Sequence, residues 1–187
     1  MNIATLNRAI EEGTVKALVI DVDGTLYRQA PVRQRMLLRL LLQALVRPRE
    51  MATVFRSLRA YRRAQETMRD TCAECASLYD EQIRVSANAC GVPAAEVAKH
   101  VATWMEASPL DLLRAAMRQD VSACLQKARA KGLRLAVWSD YPAAGKLKAL
   151  EMDGLFDVVV CAQDPDVQRF KPDPRGLEVA LSKLGVA

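Results

Sequence analysis

The residues best suited to chemistry form one run, Asp21-Val22-Asp23-Gly24-Thr25-Leu26-Tyr27. Two carboxylates two residues apart suit a two-part reaction at phosphorus. One attacks and becomes an aspartyl-phosphate; the other protonates the leaving oxygen and then activates water. Gly24 lets the backbone turn closely around an anion, and main-chain N–H groups with the Thr25 hydroxyl can donate to its oxygens. As a bare pattern, two acids and a glycine equally describe a structural turn with an Asx cap. Two later groups add to the pattern. Ser139-Asp140 closes one apolar run, and Lys171, in Phe170-Lys171-Pro172-Asp173-Pro174, follows another by a loop. A hydroxyl and an ammonium together clamp phosphate. Pro172 and Pro174 stiffen the loop, and Asp173 can cap the helix that Pro174 opens. Taken singly, Ser139 also fits a turn and Lys171 a solvated surface charge; their order relative to the apolar runs is what argues for a site.

These residues need elements that hold them at one edge. Short apolar runs at about 16–21, 133–138 and 156–162 have the length and branched composition of strands buried on both faces of a parallel sheet. Helical patterns at 121–131, 142–154 and 174–185 alternate with them, the second opening at Pro142 and stopping at Gly154. The alternation predicts an α/β domain with right-handed crossovers, whose ligand edge lies at the carboxyl ends of the strands. Residues 28–119 hold no strand pattern and several helical ones, broken at Pro48, Gly91-Val92-Pro93 and Ser108-Pro109, and so form an all-helical insertion. Within it, residues 36–46 are almost wholly apolar, with Arg35, Arg39, Gln43 and Arg47 aligned as one polar stripe. Such a helix is expected to bury most of its circumference inside a helical bundle, with an interfacial membrane helix or a dimer seam as the other readings.

Together the motifs resemble those of the haloacid dehalogenase superfamily of aspartate-nucleophile hydrolases, in the branch whose helical cap is inserted after the first motif. Asp21 to Tyr27 match its first motif, Ser139 the second-motif hydroxyl and Lys171 the third-motif base, and 28–119 takes the cap position. The resemblance implies a Rossmann-like three-layer core with a parallel sheet, formed by 1–27 and 120–187, under the cap at 28–119. It implies Asp21 as nucleophile and Asp23 as general acid/base. Ser139 and Lys171 become phosphate ligands, joined by Gly24 and Thr25, with Asp140 beside them in the loop. It also implies Mg2+, held by Asp21 and the Asp23 backbone carbonyl, to offset repulsion between carboxylate and phosphate. The expected reaction is hydrolysis of a small phosphorylated metabolite. Dehalogenases of the superfamily generally lack the second aspartate, so Asp23 favours phosphoryl chemistry; a phosphomutase would share every motif seen.

The family's fourth motif, Gly-Asp with a further Asp shortly after, is not found before the sequence closes at Leu184-Gly185-Val186-Ala187. The expectation is therefore a fragment or truncated form, its last core strands missing, its first strand an unpaired apolar edge, and weak or inactive by itself. A non-catalytic phosphate-binding or regulatory protein is the alternative.

Composition bounds the remaining classes. With 187 residues, 51% hydrophobic and 26% charged, the chain is neither disordered nor fibrous and can bury a core. No apolar run reaches the roughly 20 residues of a spanning helix, and acidic residues near the start do not suit a signal peptide. A cytoplasmic protein with no membrane partner is expected. Five cysteines at irregular spacing predict reduced thiols, with Cys72 and Cys75 as buried structural thiols rather than a zinc or redox pair. Eleven arginines between 28 and 69 face only Glu50 and Glu66. Scarce aromatic residues there argue against a nucleic-acid surface, though some arginines could draw in an anionic substrate.

Overall fold

The structure, a computed structural model, describes residues 3–13, 15–71 and 76–186. In chain order the elements are α1 (Ile3–Glu11), β1 (Ala17–Ile20), α2 (Gln29–Val46), α3 (Pro48–Thr71), α4 (Leu78–Cys90), α5 (Ala94–Val101), a π-helical turn (Ala102–Ala107), α6 (Leu110–Ala116), α7 (Gln119–Ala130), β2 (Arg134–Ser139), α8 (Ala144–Ala149), β3 (Val158–Cys161) and α9 (Arg175–Leu184).

All three expected strands form, in one parallel sheet of order β1-β2-β3. Ile20 lies opposite Val137, and Ser139 opposite Cys161. Side chains alternate across this sheet as its pleat requires. Leu18, Leu135 and Val137 pack with Ile10, Leu125 and Leu147 of α1, α7 and α8 on one face. Ala136, Trp138 and Val160 pack with Val179, Ala180 and Leu184 of α9 on the other. Three layers result. Among the described residues β1 pairs only with β2 and is a sheet edge.

β3 is shorter than the sequence suggests because Asp157 anchors its entry. The Asp157 carboxylate accepts from the Leu135 N–H at 2.8 Å and from Arg129 at 2.6 Å, while its own N–H donates to the Leu135 carbonyl at 2.8 Å. The helix expected over 142–154 is also shorter, since α8 stops at Ala149. Glu151 turns to φ 55° and the Met152 N–H closes onto the Leu147 carbonyl at 2.9 Å, a C-cap motif that usually uses glycine. On the opposite face of the sheet, Gly176 permits close packing: a Cβ there would lie 2.3 Å from the Trp138 ring.

Among the described residues the insertion between β1 and β2 forms helices and no strand; breaks fall at Pro48, at 91–93 and before Leu110, as expected, and a further one before Leu78 has no counterpart in that expectation. The chain leaves and re-enters the core through an antiparallel bridge between Tyr27 and Met117. The Arg28 N–H donates to the Ala116 carbonyl and the Arg118 N–H to the Leu26 carbonyl, each at 2.9 Å. The helix α2 departs from expectation. It buries Val32, Met36 and Leu40 on one face only, leaving Leu37, Leu38, Leu41, Leu42, Leu45 and Val46 exposed. Among the described residues α3 and α6 pack most extensively against it, on the side of Val32, Met36 and Leu40. Cys90, Cys124 and Cys161 are thiols, and burial pushes the Cys161 thiol up to about 11. The Cys72 and Cys75 pair lies outside the described residues.

Candidate active site

Because Ile20 is level with Val137, the chain after β1 emerges beside the ends of β2, and Asp21 meets residues arriving from two other loops. The Lys171 ammonium lies 2.6 Å from Asp21 Oδ1 and donates to the Trp138 carbonyl at 2.7 Å. Its nitrogen also sits 5.4 Å from the centre of the Trp138 ring, within cation–π range. Lys171 thus fastens the carboxyl ends of β1 and β2 together while its charge faces the first carboxylate.

Asp23 is held differently. Both of its carboxylate oxygens accept from Lys146 of α8, at 2.8 and 2.6 Å, and one also accepts from the Tyr27 hydroxyl. Burial, then the Asp23 charge, raises the Tyr27 phenol well above its ordinary range, so it stays protonated as a donor. The backbone reaches this arrangement through a turn in which the Thr25 and Leu26 N–H groups both donate to the Val22 carbonyl, at 3.3 and 3.0 Å. Gly24 takes φ +90° there, a conformation that side chains disfavour. Thr25 is half-buried beside it.

Ser139 ends β2 and is 1% exposed; its Oγ accepts from the Tyr141 N–H at 3.3 Å. Asp140 turns toward the insertion. Its Oδ2 accepts from Gln65 at 3.0 Å and Arg69 at 2.7 Å, both on α3, and its Oδ1 accepts from the Lys171 main-chain N–H at 3.0 Å. The Tyr141 hydroxyl donates to Gln65 Oε1 at 2.8 Å and accepts from Gln82 of α4 at 3.1 Å. Burial pushes that phenol up to about 12.

Asp21, Asp23, Gly24, Thr25, Ser139 and Lys171 therefore share one sheet edge, with Asp140 behind the Lys171 loop. Sequence reasoning missed Lys146, the Tyr27 hydroxyl, and Gln65 and Arg69 of the insertion. Lys146 carried no local signal, since it stands in a six-residue helix whose orientation toward Asp23 only the fold supplies. Gln65 and Arg69 carried none, because they lie in an arginine-rich helix where exposed and docked residues look alike. The chain's single histidine, His100, is occupied elsewhere, buried in the insertion with Nδ1 hydrogen-bonded to Ser57 Oγ at 3.0 Å.

The donor set suits a hard dication, since Asp21 and Asp23 present oxygens at the mouth of one loop and Mg2+ keeps several waters when bound. Among the described residues no group of three or more acidic, histidine or cysteine side chains converges, so the protein would contribute few ligands. A cavity of about 580 Å³ lies apart from the carboxylates, between α3 and α4, lined by Arg56, Arg59 and Arg63. A second of about 500 Å³ lies at the opposite sheet edge, around Lys16 and Lys131.

Comparison with known proteins agrees with this architecture. A protein of Thermotoga maritima assigned as a beta-phosphoglucomutase is similar over 92% of this chain and 72% of that one, with TM-score 0.51 and 20% identity. The L-2-haloacid dehalogenase RSc1362 is similar over 92% and 74%, with the same TM-score and identity. At this identity the likeness is one of fold. No curated protein matches the sequence. The model of the haloacid dehalogenase-like hydrolases matches residues 15–187, which takes in every strand and every residue of the carboxylate edge; the chain belongs to that family.

Proposed function

We propose that the chain is a phosphoric monoester hydrolase acting through an aspartyl-phosphate, with 28–119 as the cap over its core. The observation that carries this is the paired arrangement of carboxylates and ammonium groups: Asp21 against Lys171, and Asp23 against Lys146 and Tyr27. An Asp21 oxygen attacks phosphorus, and the bond from phosphorus to the alcohol oxygen breaks. Asp23 gives that oxygen its proton. In the second half Asp23 takes a proton from water, the water oxygen bonds to phosphorus, and the Asp21 carboxylate leaves with its electron pair. Lys171 stands beside the attacking atom, so it can share its charge with phosphoryl oxygens as negative charge moves onto them. Ser139, Thr25 and the turn at Gly24 supply further donors. Asp140 fixes the Lys171 loop. The Asp21 carboxylate and the Asp23 carbonyl would hold Mg2+, which would supply positive charge to offset repulsion between carboxylate and phosphate.

A small phosphorylated metabolite is the proposed substrate, in a cytoplasmic setting; among the described residues no helix is long and apolar enough to cross a membrane. Phosphate release from a panel of monoesters with Mg2+ is the test. Asp21→Asn is expected to abolish release and leave the far-ultraviolet circular dichroism unchanged; full activity in that variant would remove the nucleophile. The second reading, a phosphate-binding or regulatory protein, draws on the sparse metal ligands among the described residues. Orthophosphate binding without turnover would favour it. Transfer to a second hydroxyl without free phosphate would favour a mutase, and halide release from a 2-haloacid a dehalogenase.

A further inference from the structure

The outer face of α2 is the largest feature that the candidate chemistry leaves unexplained. Leu37, Leu38, Leu41, Leu42, Leu45 and Val46 are 50 to 81% exposed, although they lie in the middle and end of an ordered helix. The face is not turned outward by looseness. Arg39 fixes the helix's rotation, with its two guanidinium nitrogens donating to the Asp111 carboxylate at 2.9 and 2.6 Å and one of them to the Ser108 carbonyl at 2.8 Å. Val32, Met36 and Leu40 are already committed to the inner side.

We propose that this face binds a second copy of the chain. Leu37, Leu41 and Leu45 form one ridge at four-residue spacing, and Leu38, Leu42 and Val46 the neighbouring one. Two such surfaces interdigitate at a crossing near −50°, the commonest helix pairing. The exposed apolar area is on the order of 600 Å², at the upper end of the largest patch a monomer ordinarily shows. Two copies would then remove roughly 1,200 Å² from water, the lower bound for a specific interface. Charge also favours self-association through this face. Residues 37–46 contain one charged side chain, Arg39, and it is neutralised by Asp111 beside the face. Around a two-fold axis the same patch meets itself and residues near the axis face their own copies, so an uncharged centre suits such an interface. Arg35 and Arg47 lie towards the ends, where crossed helices diverge. A lipid surface fits less well, because an interfacial helix sets a basic face against its apolar one, whereas the side of α2 opposite these leucines is packed against α3 and α6.

Sedimentation velocity of the whole chain at micromolar concentration tests this. The expected mass is twice the chain's 20.7 kDa, falling to a single chain in Leu41→Glu/Leu42→Glu and in Leu45→Glu, each with unchanged far-ultraviolet circular dichroism. Leu177→Glu, an exposed leucine on α9, should remain dimeric. A monomeric wild type, or a dimer that survives the α2 substitutions, would overturn the proposal. So would a monomer that co-sediments with phosphatidylserine/phosphatidylcholine vesicles and loses this on Leu41→Glu/Leu42→Glu, which would assign the face to lipid. The Leu45→Glu variant keeps the test open if the double substitution fails to fold.

Discussion

Lys146 and Lys171 each neutralise one of the two carboxylates, but they differ in what their removal should do. Lys171 also bonds to Trp138, so its loss would disturb the sheet edge. Lys146 touches Asp23 alone among the hydrogen bonds at this edge, from a position only 14% exposed. Lys146→Met keeps the length and apolar stem of the side chain and leaves Tyr27 as the remaining donor to Asp23. Under the hydrolase reading, it should lower kcat by about 100-fold, the usual scale for perturbing a general acid/base. KM should change little. Steady-state kinetics decide the matter, and an unchanged kcat would remove Lys146 from the reaction. At this scale the sequence disclosed the groups with a motif, Asp21, Asp23, Ser139 and Lys171, since their types and order relative to apolar runs are readable. It did not disclose Lys146 or Tyr27, whose part depends on how α8 and the turn at Gly24 are oriented in space.

Elements transmit position to those residues. The helix α9 approaches the sheet so closely at Gly176 that a single carbon would strike the Trp138 ring, which in turn lies beside Lys171. Gly176→Ala should therefore cost about 1–3 kcal/mol, the range for overpacking a core. Urea denaturation measures it, and unchanged stability would mean the indole can shift. The tie between α3 and the Lys171 loop is more demanding. Asp140 accepts three hydrogen bonds on two oxygens, whereas an amide presents one acceptor atom and one donor. Asp140→Asn must set an N–H₂ group against at least one existing donor, with an expected loss of roughly 1–3 kcal/mol. Limited proteolysis should then cut the insertion faster; equal rates in the two proteins would refute the tie. The strands were legible because apolar runs of strand length are simple signals. The shortening of α8 was not, because the residue that ends it in the left-handed region is Glu151 rather than a glycine. The exposure of α2 was hidden as well: apolar periodicity reports what a helix can bury, not how many neighbours the fold supplies.

For the whole molecule, a two-carboxylate edge would set how tightly a metal could be held. With no third acidic group converging among the described residues, Mg2+ should raise the melting temperature only in the millimolar range. Saturation at micromolar Mg2+ in a thermal titration would reveal ligands beyond Asp21 and Asp23. The layered arrangement was legible from strand and helix alternation, while contacts between the insertion and the core, such as Gln65 with Asp140, join residues 75 apart and leave no local trace. Those contacts make the insertion and the Lys171 loop one mechanical unit. Any swing of α3 away from the core must drag that loop or break its bonds to Asp140. If the ligand-binding edge favours one position of α3, free-energy linkage requires that a ligand at the edge favour that same position in return, by the same factor. Entry and grip are then two readings of a single equilibrium, with Asp140 as its pivot.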